Sequence, residues 1–178
     1  MKIKKLFITV LLLFSLLTTF TGCFRSPEPT VKEGEFNFSI TYEVDGEVKT
    51  VASVFRCEFV DSVMALDAPY VEWDTSILDN DLAVRLEENR GYLLLKECDD
   101  GIIYLDLNLS AKYFMSDPNY NNSNNSENGI SPRLFIEYNQ TKGEELGEWW
   151  AEDATVLSSY GVRVISYEYD APIENTYK

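Results

Sequence analysis

Glu35-Phe36-Asn37-Phe38-Ser39-Ile40-Thr41-Tyr42-Glu43-Val44 decides the fold of this 178-residue chain. Phe36, Phe38, Ile40, Tyr42 and Val44 alternate with Asn37, Ser39, Thr41 and Glu43. That period of two belongs to a strand with one face in a core. Asp45-Gly46 follows and signals a hairpin. Two registers compete for the return strand. A two-residue loop sets Tyr42 against Lys49 and Phe38 against Ser53. A three-residue loop, with Gly46 left-handed, sets Tyr42 against Val48, Phe38 against Ala52 and Phe36 against Val54. The second matches apolar with apolar and is the register expected. The return strand reads from Glu47 to about Phe59. Its far end, Val54-Phe55-Arg56-Cys57-Glu58-Phe59, has apolar residues on both alternations, as in a strand covered on both sides.

Further strands follow. Asp67-Ala68-Pro69 reads as a turn and Tyr70-Val71-Glu72-Trp73 as a short strand. Residues 81–109 read as a three-stranded meander, in which Leu82, Val84 and Leu86 alternate with Ala83, Arg85 and Glu87. A turn at Glu88-Asn89-Arg90-Gly91 sets Leu86 opposite Leu93, and a three-residue turn at Asp99-Asp100-Gly101 sets Leu95 opposite Leu105 and Leu93 opposite Leu107. Asn119 to Gly129 is Asn- and Ser-rich without apolar period and reads as a mobile loop. Arg133 to Tyr138 is another strand. Asp153 is placed to cap a two-turn helix, Ala154 to Tyr160, stopped by Gly161. Val162 to Tyr169 is the last strand, with apolar residues on both faces suggesting a central position, and Ala171 to Lys178 is a short tail. A shared apolar sheet face needs a second layer. The expected fold is all-β or β-dominated α+β: a two-layer antiparallel β-sandwich with one short helix, in a single domain over residues 35–178.

The start of the chain has another purpose. Met1-Lys2-Ile3-Lys4-Lys5 is basic, Leu6 to Phe20 is apolar and uncharged, and Gly22-Cys23 follows. This is a lipoprotein signal: basic region, apolar region and a cleavage box ending in cysteine. The apolar run is about 15 residues, short of the ~20 that span a bilayer. Cleavage after Gly22 would leave Cys23 as the lipid-attached N-terminus, and two acyl chains suffice for stable anchoring. Residues 1–22 are therefore read as the signal and 23–34 as a lipid-anchored tether. The expected location is the extracytoplasmic face of the cell membrane.

Composition narrows the chemistry. Removing residues 1–22 takes away Lys2, Lys4 and Lys5 and no acid, so the net charge moves from −15 to −18. Such a charge argues against nucleic acid and against electrostatic docking on anionic lipid. With no histidine, Ser-His-Asp, Cys-His and His-ligated zinc sites are excluded. Outside the cytoplasm Cys57 and Cys98 are read as a disulfide pair worth ~2–4 kcal/mol; two separate thiols are the alternative.

Tyr113-Phe114-Met115-Ser116-Asp117-Pro118, Cys57-Glu58-Phe59 and Pro172-Ile173-Glu174-Asn175-Thr176-Tyr177-Lys178 carry a resemblance. The chain resembles small, uncharacterised lipoproteins of low-GC Gram-positive bacteria, which have a Tyr-Phe-Met-Gly-Asp-Pro-like stretch and a Pro-Ile-Glu-Asn-Thr-Phe-like end. Ser116 stands where that pattern has glycine. The resemblance implies a Gram-positive membrane surface and carries over no activity.

Candidate sites are few. The adjacent Trp149 and Trp150 lie next to a turn, where one can form an exposed platform for sugar or protein. Asp79, Asn80, Asp81, Asp99, Asp100 and Asp117 offer hard oxygen ligands for calcium, without EF-hand spacing. No catalytic residue, metal site or cofactor is assigned. The expected function is a membrane-anchored, non-enzymatic binding or interaction module with a protein or cell-wall glycan partner. The alternatives are a carboxylate-based hydrolase of envelope glycan and an envelope chaperone or assembly factor that pairs edge strands.

Overall fold

The computed structural model describes residues 28–63, 70–99, 101–120, 130–138, 148–150 (backbone) and 157–178. Cys23 and the signal, the Asp67-Ala68-Pro69 turn and most of the Asn-rich loop lie outside them. Strands β1 (Glu33–Val44), β2 (Glu47–Val63), β3 (Tyr70–Ile77) and β8 (Val162–Tyr169) form one antiparallel sheet, in the order β3-β2-β1-β8. Strands β4 (Leu93–Cys98), β5 (Gly101–Asp106), β6 (Arg133–Tyr138) and β7 (Glu148–Trp150) form the other, in sequence order. The two-layer β-sandwich expected from the alternation is the fold.

The apolar face of β1 is the centre of the core: Phe36, Phe38, Ile40, Tyr42 and Val44 are all buried. Its hairpin takes the two-residue loop, not the three-residue one. Asp45 and Gly46 have φ of 53° and 83°, two left-handed residues in succession, whose twist matches that of the flanking strands. Tyr42 therefore faces Lys49 and Phe38 faces Ser53. Ile40 meets Val51 and Phe36 meets Phe55 on the buried face, while Val48 stays 59% exposed. Turn geometry sets the register ahead of apolar matching.

Residues 81–88 are not a strand. They belong to helix α1 (Asn80–Glu88), whose first turn is capped by Asp79: its carboxylate accepts from the Leu82 N–H at 2.9 Å. Leu82 and Leu86, one turn apart, are buried, and Val84 is 52% exposed. A six-residue alternation also satisfies the i, i+4 spacing, and the cap decides between the two. Arg90 and Gly91, both left-handed, end the element. The meander is thus formed by β4, β5 and β6. Leu93 faces Leu105 and Cys98 faces Gly101, with a bulge at Leu95, in place of the expected pairs.

The strand read at Tyr70–Trp73 is longer, and that at Arg133–Tyr138 is as expected. β8 is an edge strand, not a central one: it pairs with β1 alone among the described residues, with a bulge at Ile165. The one-turn helix α2 (Ala111–Phe114) puts Phe114 into the core, stacked on Phe36 at 4.6 Å and beside Phe55 at 5.6 Å. The helix read at Ala154–Tyr160 is described only from Leu157, helical at Leu157 and Ser158. Among the described residues no helix is long and apolar enough to cross a membrane.

Cys57 and Cys98 are free thiols and not a disulfide. Cys57 lies opposite Gly34, at the start of β1. Cys98 lies two residues beyond Lys96, whose ammonium is bound to Asp45 past the other end of β1. Gly34 and Asp45 are about 36 Å apart along an extended strand, whereas bonded cysteines need Cα atoms within ~7 Å. Burial pushes the Cys57 thiol from 9.0 up to about 12; the Cys98 thiol donates to the Gly101 carbonyl at 3.1 Å. We expect reductant to leave the intact mass unchanged under native conditions. Iodoacetamide at pH 8 should modify Cys98, and Cys57 only after unfolding.

Gly101 opens β5 opposite Tyr138 of β6. An added Cβ there would run into the backbone carbonyl of Glu137. Gly101→Ala is expected to lower the stability measured by urea unfolding by ~1–3 kcal/mol.

Candidate functional site

Two of the three stretches quoted for the resemblance, Tyr113–Pro118 and Pro172–Lys178, meet in space. After α2 the chain turns at Ser116, whose φ is 49°. This is the left-handed conformation that a glycine would supply, so the tight turn survives the serine. The Ser116 hydroxyl donates to the Ile173 carbonyl at 2.6 Å, and the Ile173 N–H donates to the Phe114 carbonyl at 3.0 Å. The Tyr177 hydroxyl donates to the Met115 carbonyl at 3.0 Å. Beside them lies Asp117, only 4% exposed. Its carboxylate accepts from Trp73 Nε1 at 3.1 Å and from the Asn119 N–H at 2.8 Å. Burial, and secondly the charge of Asp117, raise the Tyr177 phenol above its ordinary value.

The same tail grips the start of the domain. Pro29 and Tyr177 form an antiparallel bridge. Glu28 and Lys178 exchange backbone hydrogen bonds of 3.2 and 3.1 Å, and the Thr30 N–H donates to the Thr176 carbonyl at 2.9 Å. The Asn175 amide spans Val31, accepting from its N–H at 3.0 Å and donating to its carbonyl at 2.9 Å. From Glu28 onward the segment read as tether is thus part of the domain.

A groove of about 930 Å³ opens beside this clasp, where β1, β2 and β8 meet the tail. Tyr113, Ile130, Tyr167 and Tyr169 contribute to its wall, with Glu168 and Asp170. Tyr169 is fixed by its hydroxyl, which donates to the Leu107 carbonyl at 2.8 Å. Burial, then the charge of Asp106 and then Tyr167, raise its phenol above the ordinary value. Tyr167 lies 5.8 Å from Tyr169 and is 46% exposed. Asp170 is a structural acid: one oxygen accepts from the Asn37 N–H at 2.7 Å and from its side-chain amide at 2.8 Å. Tyrosine faces with hydroxyl and amide rims suit a ligand held by stacking and hydrogen bonds.

The residues singled out in the sequence fall elsewhere. Trp149 and Trp150 lie on β7, paired with Ile136 and Phe135 at the end of the second sheet; their side chains are outside the description. Asp79 caps α1, Asp81 lies in its first turn, Asp99 follows β4 and Asp117 belongs to the clasp. Among the described residues no three histidine, cysteine, aspartate or glutamate side chains converge on a point that would hold a metal. The groove tyrosines went unnoticed in the sequence because Tyr167 and Tyr169 continue the apolar pattern of β8. The signal was their alternation with Glu168 and Asp170, acids too frequent to be buried.

Asp117→Ala should leave the Trp73 indole N–H without its partner and cost ~1–3 kcal/mol of stability, read by urea unfolding. Ser116→Gly should be close to neutral. Asp106, half-buried near Tyr169, has its carboxyl raised above 3.8 chiefly by partial burial. A carboxyl raised in the folded state binds its proton more tightly there, so its ionisation removes stability as pH rises from about 4 through the raised value. D106N should abolish that part of the pH dependence in unfolding curves taken between pH 3 and 7.

No protein-family model, curated protein or solved structure matches the chain.

Proposed function

We propose that this chain is a lipoprotein anchored at Cys23 on the extracytoplasmic face of the membrane, and that its β-sandwich is a non-enzymatic binding module. The groove walled by Tyr113, Tyr167 and Tyr169 carries the binding reading. It pairs aromatic faces with polar rims, and one of its two acids, Asp170, is already committed to Asn37. A protein segment or a cell-wall glycan has the stacking and hydrogen-bonding surface that such a groove recognises. The acidic exterior supports solubility at a crowded surface.

β8 favours a second reading, in which the ligand is an extended peptide. It is the edge of its sheet among the described residues, and Ile165 and Tyr167 are each 46% exposed. An added strand there would run beside the groove, the mode of an envelope assembly factor.

The test is titration of the mature domain, followed by NMR, with muropeptides and with unfolded-peptide libraries. Tyr167→Ala is expected to weaken binding about tenfold or more, as loss of an aromatic anchor does. Glu168→Gln is expected to leave affinity unchanged. Turnover of a glycan that E168Q abolishes would replace this reading with the carboxylate hydrolase.

A further inference from the structure

We infer that the clasp end of the sandwich rests on the lipid surface, with Val31, Val60 and Tyr70 as its contact residues. The inference rests on the lipid anchor proposed above. Residues 24–27 alone separate Cys23 from Glu28, where the clasp begins. Five residue steps extend at most about 18 Å. β1 has 12 residues and so spans about 40 Å. The anchor therefore holds one end of the sandwich at the membrane, and the Asp45-Gly46 turn lies at the other.

That near end carries three exposed apolar side chains, against Val48 beside the far turn. The Phe59 N–H donates to the Lys32 carbonyl at 2.7 Å. Val31 precedes Lys32 and Val60 follows Phe59, and they are 37% and 54% exposed. Val60 is the extra residue of a bulge, between Phe59 opposite Trp73 and Asp61 opposite Glu72. Further along, Tyr70 faces Val63 and is 41% exposed. Tyrosine favours the membrane–water boundary, where its ring is apolar and its hydroxyl wet. Acids at this end are partly neutralised: Glu28 by Lys32 at 2.5 Å and Glu58 by Arg56 at 3.0 Å. A domain lying on its side would instead press acidic flanks on anionic headgroups, which the net charge of the mature chain opposes.

The test uses full-length protein expressed with its signal, purified in detergent and reconstituted in phosphatidylglycerol–phosphatidylcholine vesicles containing nitroxide-labelled lipid. An environment-sensitive fluorophore is placed by V60C, by Y70C or, at the far end, by E47C, each in a C98S background; buried Cys57 does not compete for the label. Intact mass first reports whether Cys23 carries lipid. We expect the lipid at Cys23 and at least twofold stronger quenching at V60C and Y70C than at E47C, unchanged by 0.5 M salt. A chain without lipid at Cys23 overturns the anchor and the placement together. A lipidated chain whose E47C probe is quenched as strongly as the V60C and Y70C probes overturns the placement alone.

Discussion

Two left-handed residues, Asp45 and Gly46, fix the position of everything that packs on β1. A slip of one residue there would turn the whole apolar set of β2 to the wrong face. The turn is held from outside as well. The Asp45 N–H donates to the Gly161 carbonyl at 2.8 Å. Lys96 of the second sheet reaches Asp45 Oδ1 at 2.5 Å and the Tyr160 carbonyl at 2.9 Å. One short turn thus joins β1, the segment before β8 and β4, and so ties the two sheets at that end. Gly161, itself left-handed at 71°, approaches so closely that a Cβ would lie 2.7 Å from Asp45 Oδ1.

At the other end the tie is made by Asp117 and the terminal segments. A carboxylate 4% exposed is costly unless its oxygens are satisfied. Trp73 of β3 and the Asn119 backbone satisfy them, so the polar group that opposes burial also specifies how α2 meets the first sheet. The two sequence motifs that looked separate are halves of one hydrogen-bonded arrangement. The clasp gives both motifs a structural role that requires no chemistry of their own.

How much was legible in the sequence depended on the range of the interaction concerned. The alternation of Phe36 to Val44 reported its own burial, whereas Arg133–Tyr138 buries Leu134, Phe135 and Ile136 in succession. Leu82, Val84 and Leu86 satisfy both periods over six residues, and the Asp79 cap decides for the helix. The registers went wrong where apolar matching was set above turn geometry. β8 looked central from its composition, and only the sheet order shows that Ile165 and Tyr167 lie on an edge strand. The cysteine pair was inferred from compartment alone, and a separation of tens of ångströms along β1 has no sequence signature. The groove was hidden for the same reason: Tyr113, Tyr167 and Tyr169 are more than fifty residues apart at the widest, and only the fold brings them together.

The clasp also orders events in time. Pro29 bridges Tyr177, and β1 takes β8 as its neighbour, so the earliest described segments of the domain are completed by the latest. A chain synthesised N-terminus first has β2 to pair with β1, but the other edge of β1 stays open until residue 169 has been made. The seam between residues 28–31 and 175–178 closes last of all. The pairing of β1 and the clasp can therefore be completed only once the C-terminal segment is available.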